Sequence, residues 1–237
     1  MLYLFHLLNG LFFILLLKSN LIYSVQDIDY VSRSEIYEEY RSFSKLEPML
    51  NPFKQHMLRL RLLAGECSSV IEFGAIGESH TLSILIGLSD NEFVDKKYTN
   101  VNRTRPETQT LKKISRWTRG LNIKFHFVHK NTCLMEPQNF DLLFIDSDHR
   151  YAHLTLELEN MQGKIKKYIF LHHTGSPWGY RDEQNYFIDD FVYPDWIEKT
   201  KKGLRAAVDD FLSRHPEWEK YEENANSHGF TILKRIK

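Results

Sequence analysis

The chain has 237 residues, enough for one well-buried domain, and its 31 Lys and Arg balance 31 Asp and Glu for a formal net charge of +0 at pH 7. With no global field, charge-driven recruitment of nucleic acid or of an acidic membrane surface is excluded, and a small-molecule partner is expected. Cys67 and Cys133 make neither a disulfide framework nor a zinc motif, so each reads as a buried free thiol.

In chain order, Leu2 to Leu17 is almost wholly apolar, broken only by His6, Asn9 and Gly10. That length suits a signal-peptide core better than a full membrane span of about 20 residues. Residues 1–25 are therefore expected to engage a membrane as a signal peptide or signal anchor. This places the protein in the secretory pathway, with 26–237 as a single domain. From Asp27 to Glu47, apolar residues recur at helical spacing, and after Pro52 the run Phe53 to Leu63 predicts a helix closed by Gly65.

Val70-Ile71-Glu72-Phe73 then runs into Gly74 and Gly77, and an amphipathic helix follows from Thr81 to Leu88. A strand, a glycine turn and a helix start let backbone approach a ligand closely and aim free N–H groups at it. Lys96 to Asn102 is a second strand, Pro106 to Gly120 a helix and Leu121 to His129 a third strand. Asp141 to Asp146 is apolar throughout its middle, as in a strand covered on both faces. A helix from Tyr151 to Ile165 and a fifth strand from Tyr168 to His172 complete the alternation. The stretch from His173 to Lys202 has the length of a binding loop. Gly203 to Arg214 is a helix, and Trp218 to Glu223 with Phe230 to Ile236 forms a closing antiparallel hairpin. The pattern is α/β, with a mostly parallel sheet and helices on both faces.

Ligands of such sheets bind beyond the carboxyl ends of the strands. Topology brings Gly74 to Ser79, Asn102 to Thr104, Asn131 and Thr132, Asp146 to His149, and His172 to Thr174 to that edge. The glycine turn alone is equally compatible with plain helix-on-strand packing. Asp146, Asp148 and His149 suit a divalent cation or a hydroxyl substrate, whereas Ser147 or Asp148 also suits the cap of the next helix. The expectation is that one aspartate caps and the other works. His172 and His173 offer a general base near neutral pH, or simply a satisfied strand end. Trp178, Tyr180, Tyr186, Tyr193 and Trp196 suit stacking on a ring or sugar face, or ordinary packing.

Several ordered motifs carry a family resemblance. They are Glu72-Phe73-Gly74 with Ser79 and Thr81, the run from Phe140 to Tyr151, Glu157-Leu158, the run from Tyr168 to Thr174, and the stretch from Gly203 to Leu212. His215-Pro216-Glu217-Trp218 and the run from Gly229 to Leu233 complete the set. Over residues 35 to 236 the chain resembles class I S-adenosylmethionine-dependent methyltransferases, especially the cephalosporin-hydroxylase-like and sugar O-methyltransferase group. The resemblance implies a Rossmann-like seven-stranded sheet with a reversed C-terminal hairpin, S-adenosylmethionine as cofactor, and O-methylation of a small hydroxylated acceptor such as a sugar. By that mapping Glu72, Gly74, Ala75, Gly77 and Ser79 hold the methionine part of the cofactor, Asn102 meets its ribose and Asn131 lies near its adenine. Asp146 and His149 border the methyl group, and His172 and His173 join them as catalytic candidates. Some relatives bind magnesium (Mg2+) through acidic residues at the ends of the fourth and fifth strands, positions held here by Asp146 and His173.

The departures are specific. Asn102 stands where the family has an acid, and His173 stands where the fifth strand usually ends His-Asp-Thr. Ser227-His228-Gly229-Phe230-Thr231 replaces Asn-Asn-Gly-Leu-Thr, and Asn102-Arg103-Thr104 is a glycosylation sequon. A second reading is a catalytically inactive member of the fold that serves as a ligand- or protein-binding module. A third, a metal-dependent hydrolase built on Asp146, Asp148 and the histidines, leaves the C-terminal motifs unexplained.

Overall fold

The computed structural model describes residues 31–45, 54–74, 76–77, 79–183 and 191–237. The residues expected to form the N-terminal targeting segment, together with Ala75 and Tyr186, lie outside them. Among the described residues no helix is long and apolar enough to cross a membrane.

Strands β1 (Ser69–Gly74), β2 (Lys97–Asn102), β3 (Lys124–His129), β4 (Phe140–Asp146) and β5 (Ile165–His172) run parallel. β6 (Trp218–Asn224) and β7 (Phe230–Arg235) form the closing hairpin, and β7 pairs antiparallel with β5. The sheet order is β3-β2-β1-β4-β5-β7-β6. Rossmann-like connectivity is thus confirmed, with β7 inserted between β5 and the edge strand β6. The helices are α1 (Arg33–Lys45), α2 (Lys54–Gly65), α3 (Ser79–Asp90), α4 (Thr108–Gly120), α5 (Tyr151–Met161) and α6 (Leu204–Arg214).

Strand periodicity sorts the core. Ile71, Phe73, Leu143, Ile145, Ile169 and Leu171 face one layer, where they pack with apolar residues of α5 and α6. Glu72, Phe144, Phe170 and His172 alternate with them and face α2 and α3. These two helices cross closely at Gly87, where a Cβ would sit 2.7 Å from Ala64 Cβ. The continuous apolar run of β4 is explained by this double cover, since every residue from Phe140 to Ile145 is buried. β3 lies at the sheet edge, so its alternating residues are only half-buried.

The boundary between α5 and β5 differs from expectation. The helix begun at Tyr151 ends at Met161, a 3-10 turn spans Gln162–Lys164, and Ile165 already belongs to β5. Ile165 extends the helical spacing of Leu158 and Met161, but Gly163 weakens a helix and Ile165 pairs with Phe140 in the sheet.

The long loop after β5 is knotted at its base. Leu204 N donates to Trp178 O at 3.0 Å and Arg205 N to Gly179 O at 3.0 Å. Asp182 Oδ1 accepts from both Tyr151 N and Gly203 N, each at 2.9 Å. This sets right the expectation for the start of α5. Its cap comes from Asp182 in the loop, because Asp148 is turned into a two-point pair with Arg150 and Ser147 Oγ donates to Glu157 Oε1 at 2.7 Å.

Candidate functional site

The site begins with the turn after β1. Gly74 adopts φ +110, open to glycine but rarely to other residues, and a Cβ there would collide with the Asp146 carbonyl. Gly77 follows at φ +93. Its N–H donates to Thr81 Oγ1 at 3.1 Å, and Thr81 in turn donates to Glu72 Oε2 at 3.0 Å. Tyr98 OH also donates to Glu72. Glu72 is 1% exposed, and burial pushes its carboxyl up to about 8 despite these bonds. Glu72 therefore lies in the core and props the turn from within. Ser79 opens α3, and its carbonyl accepts from Ser83 Oγ at 2.7 Å.

A cavity of about 230 Å³ opens beyond the strand ends, lined among others by Gly74, Asn102, Asn131, Asp146, Asp148 and His153. Four of the five strand-end groups named from topology thus meet in one space. Asn102 Oδ1 accepts from Thr104 N at 2.9 Å and Asn131 Oδ1 accepts from Cys133 N at 2.9 Å. Both amide oxygens close local turns.

His172 and His173, the fifth group, touch this space through Asp146. Its Oδ1 lies 3.0 Å from His173 Nδ1 and 3.6 Å from His149 Nε2, and its Oδ2 lies 3.1 Å from His172 Nδ1. Burial would raise the Asp146 carboxyl, but the three imidazoles outweigh it and hold the group well below the usual range. His173 Nδ1 also lies 2.7 Å from His149 Nε2, and His149 Nδ1 lies 2.7 Å from Glu183 Oε2. Burial opposes charge on His149, yet Asp146 and Glu183 raise its pKa, whereas burial lowers that of His173. His173 sits at φ 60, a left-handed conformation that bulky residues seldom adopt. Trp178 stacks on His149 with centroids 5.7 Å apart and planes 13° apart.

These donors decide the metal question raised for Asp146 and His173. Magnesium takes oxygen ligands in octahedral array, and the immediate partners of Asp146 are imidazoles. The donor chemistry does not suit Mg2+.

Sequence reasoning missed several groups. His153 lines the cavity, with Thr132 Oγ1 2.9 Å from its Nε2 and Tyr193 OH 3.0 Å from its Nδ1. Its i,i+4 spacing from buried Glu157, 3.3 Å away, was the local signal available. Glu183 lies in an irregular loop and carries no such signal. Among the described loop aromatics, Tyr180 and Trp196 are 65% and 59% exposed, and Trp178 and Tyr193 bear on this network.

No family model and no curated protein sequence matches the chain. Solved structures match it in fold. An SAH-bound methyltransferase of Podospora anserina is 12% identical, covering 93% of this chain and 96% of that one at TM-score 0.50. A methyltransferase from Geobacter sulfurreducens is 12% identical, with coverages of 92% and 96% and TM-score 0.52. An O-methyltransferase from Bacillus cereus in complex with SAH is 10% identical, with coverages of 85% and 89% and TM-score 0.50. The architecture is the class I methyltransferase fold.

Proposed function

We propose that the protein is an S-adenosylmethionine-dependent methyltransferase that methylates a hydroxyl of a small acceptor such as a sugar, working in the secretory pathway. The observation that carries this reading is the meeting of two parts at Asp146, which lines the strand-end cavity and also anchors the His173–His149–Glu183 chain. The SAH-bound and O-methyltransferase neighbours of the fold support the choice of cofactor.

The cavity residues fit the group. Gly74 lets the backbone pass within a glycine's reach of Asp146, and Asn102 offers N–H donors to ribose hydroxyls, which accept. When bound, S-adenosylmethionine supplies an electrophilic methyl on a sulfonium. The chain's own residues do the rest by position and proton handling. His149 Nδ1 donates to Glu183, so its Nε2 accepts from His173 Nδ1, which carries the hydrogen and leaves the lone pair on His173 Nε2 as the basic atom. Burial keeps that imidazole neutral near pH 7, ready to take the acceptor's proton. Glu183 and Trp178 hold His149 in place behind it. Trp178 and Tyr193 support an acceptor with a ring or sugar face.

The test is titration calorimetry of S-adenosylhomocysteine into the full chain. One-to-one binding is expected, abolished in a folded Gly74→Trp variant, with methyl transfer to hydroxylated acceptors lowered about 100-fold or more by His173→Gly at unchanged S-adenosylhomocysteine affinity. Absence of binding by the folded wild-type protein would overturn the reading.

A further inference from the structure

On the sheet face covered by α2 and α3, three histidines from three elements converge: His56 of α2, His80 in the first turn of α3 and His172 at the end of β5. They are 0%, 6% and 3% exposed. One ring nitrogen of each lies within 4.8 Å of the other two. The His172 ring is 5.1 Å from that of His56 and 4.6 Å from that of His80, centroid to centroid, and both meet it edgewise.

The hydrogen on His56 is placed by its partner. His56 Nε2 lies 3.0 Å from the Asn226 carbonyl oxygen, which only accepts, so Nε2 carries the hydrogen and Nδ1 presents its lone pair. His172 Nδ1 lies 3.1 Å from an Asp146 carboxylate oxygen but is not aligned to donate to it. His172 Nε2 and His56 Nδ1 face each other at 3.0 Å. Either a hydrogen on His172 Nε2 or a cation between the two nitrogens satisfies that contact. Two imidazole nitrogens bound to one zinc-like ion at about 2.0–2.1 Å stand roughly 2.9–3.4 Å apart, so this pair already has ligand spacing.

We infer that His56, His80 and His172 form a three-nitrogen site for a divalent transition-metal ion of the zinc class. The Asn226 carbonyl acts as the outer group that orients His56, as backbone carbonyls do for metal-bound histidines. Imidazole donors select zinc, copper, nickel or iron over magnesium or calcium. The ion would clasp α2, α3 and β5 together behind the strand-end cavity. His173 and His149 take no part in it, and the inference stands whether or not the protein transfers methyl groups. A proton shared by His56 and His172 is the competing occupant of the same gap.

The experiment is cobalt titration of the untagged, chelator-treated full chain, read by the visible ligand-field absorption of Co2+ and by thermal unfolding with added Zn2+. One equivalent of cobalt is expected, displaceable by zinc, with a raised unfolding temperature. His56→Gln and His80→Gln are each expected to weaken cobalt binding about 100-fold or more, while His173→Gly, which suits the left-handed backbone there, changes it less than about threefold. Far-UV circular dichroism identifies whichever variant stays folded. Failure of the wild-type chain to take up one equivalent, or binding that survives a folded His56→Gln or His80→Gln variant or is lost in His173→Gly, would overturn the site.

Discussion

Gly74→Ala tests the geometry on which the whole site rests. The new Cβ would lie 2.5 Å from the Asp146 carbonyl carbon and 3.0 Å from Ser147 N, and closer still to the Asp146 oxygen. These are backbone atoms, so no side chain can swing aside. β4 is held by β1 on one side and β5 on the other, with Gly74 itself paired to Asp146. A non-glycine residue at left-handed φ costs about 1–2 kcal/mol, and forcing backbone apart in a packed region costs about 1–3 kcal/mol more, for a total of roughly 2–5 kcal/mol. With a urea slope near 2 kcal/mol per molar, the unfolding midpoint should fall by roughly 1–2.5 M. Gly163→Ala is the control, because a Cβ there meets nothing within 4 Å; it should leave the midpoint level or raise it slightly. A Gly74→Ala midpoint within about 0.2 M of wild type would refute the claim that the turn and the end of β4 are in obligatory contact.

Other consequences can be measured on the same unfolding curves. Glu72 has a folded pKa of about 8 against an ordinary 4.5, so the folded chain keeps a proton that the unfolded chain has released. Its contribution to stability is present below about pH 4.5 and is lost as pH rises toward 8. Glu72→Gln should therefore flatten the stability profile across that window, and an unchanged slope would count against a neutral buried acid. Asp182→Ala removes the acceptor shared by Tyr151 N and Gly203 N. A loss of about 1–2 kcal/mol is expected, with Asp148→Asn as a comparison that leaves the start of α5 capped.

Much of the fold was legible because its signals are local. The apolar run of β4, the glycines after β1 and the closing hairpin each announce themselves within a dozen residues, and the parallel topology then brings Asn102, Asn131 and Asp146 to one edge. What stayed hidden depends on partners far along the chain. Asp148 looks like a cap in sequence, but Arg150 claims it and the true cap comes from residue 182. Glu72 looks like a ligand group beside a glycine turn, yet strand alternation points it inward to Thr81 and Tyr98. His56 reads as one polar residue among Met57, Leu60 and Leu63, and nothing in its own helix tells that His172, 116 positions away, lies 3.0 Å from it.

The knot at the base of the long loop has a consequence for how such a chain can diversify. Trp178 and Gly179 are tied to the start of α6, and Asp182 ties the same loop to the start of α5, so the position of Trp178 over His149 is fixed from within the frame. The ties of Trp178 and Gly179 are backbone to backbone, so side-chain substitutions at the start of α6 leave the placement of Trp178 over His149 in force.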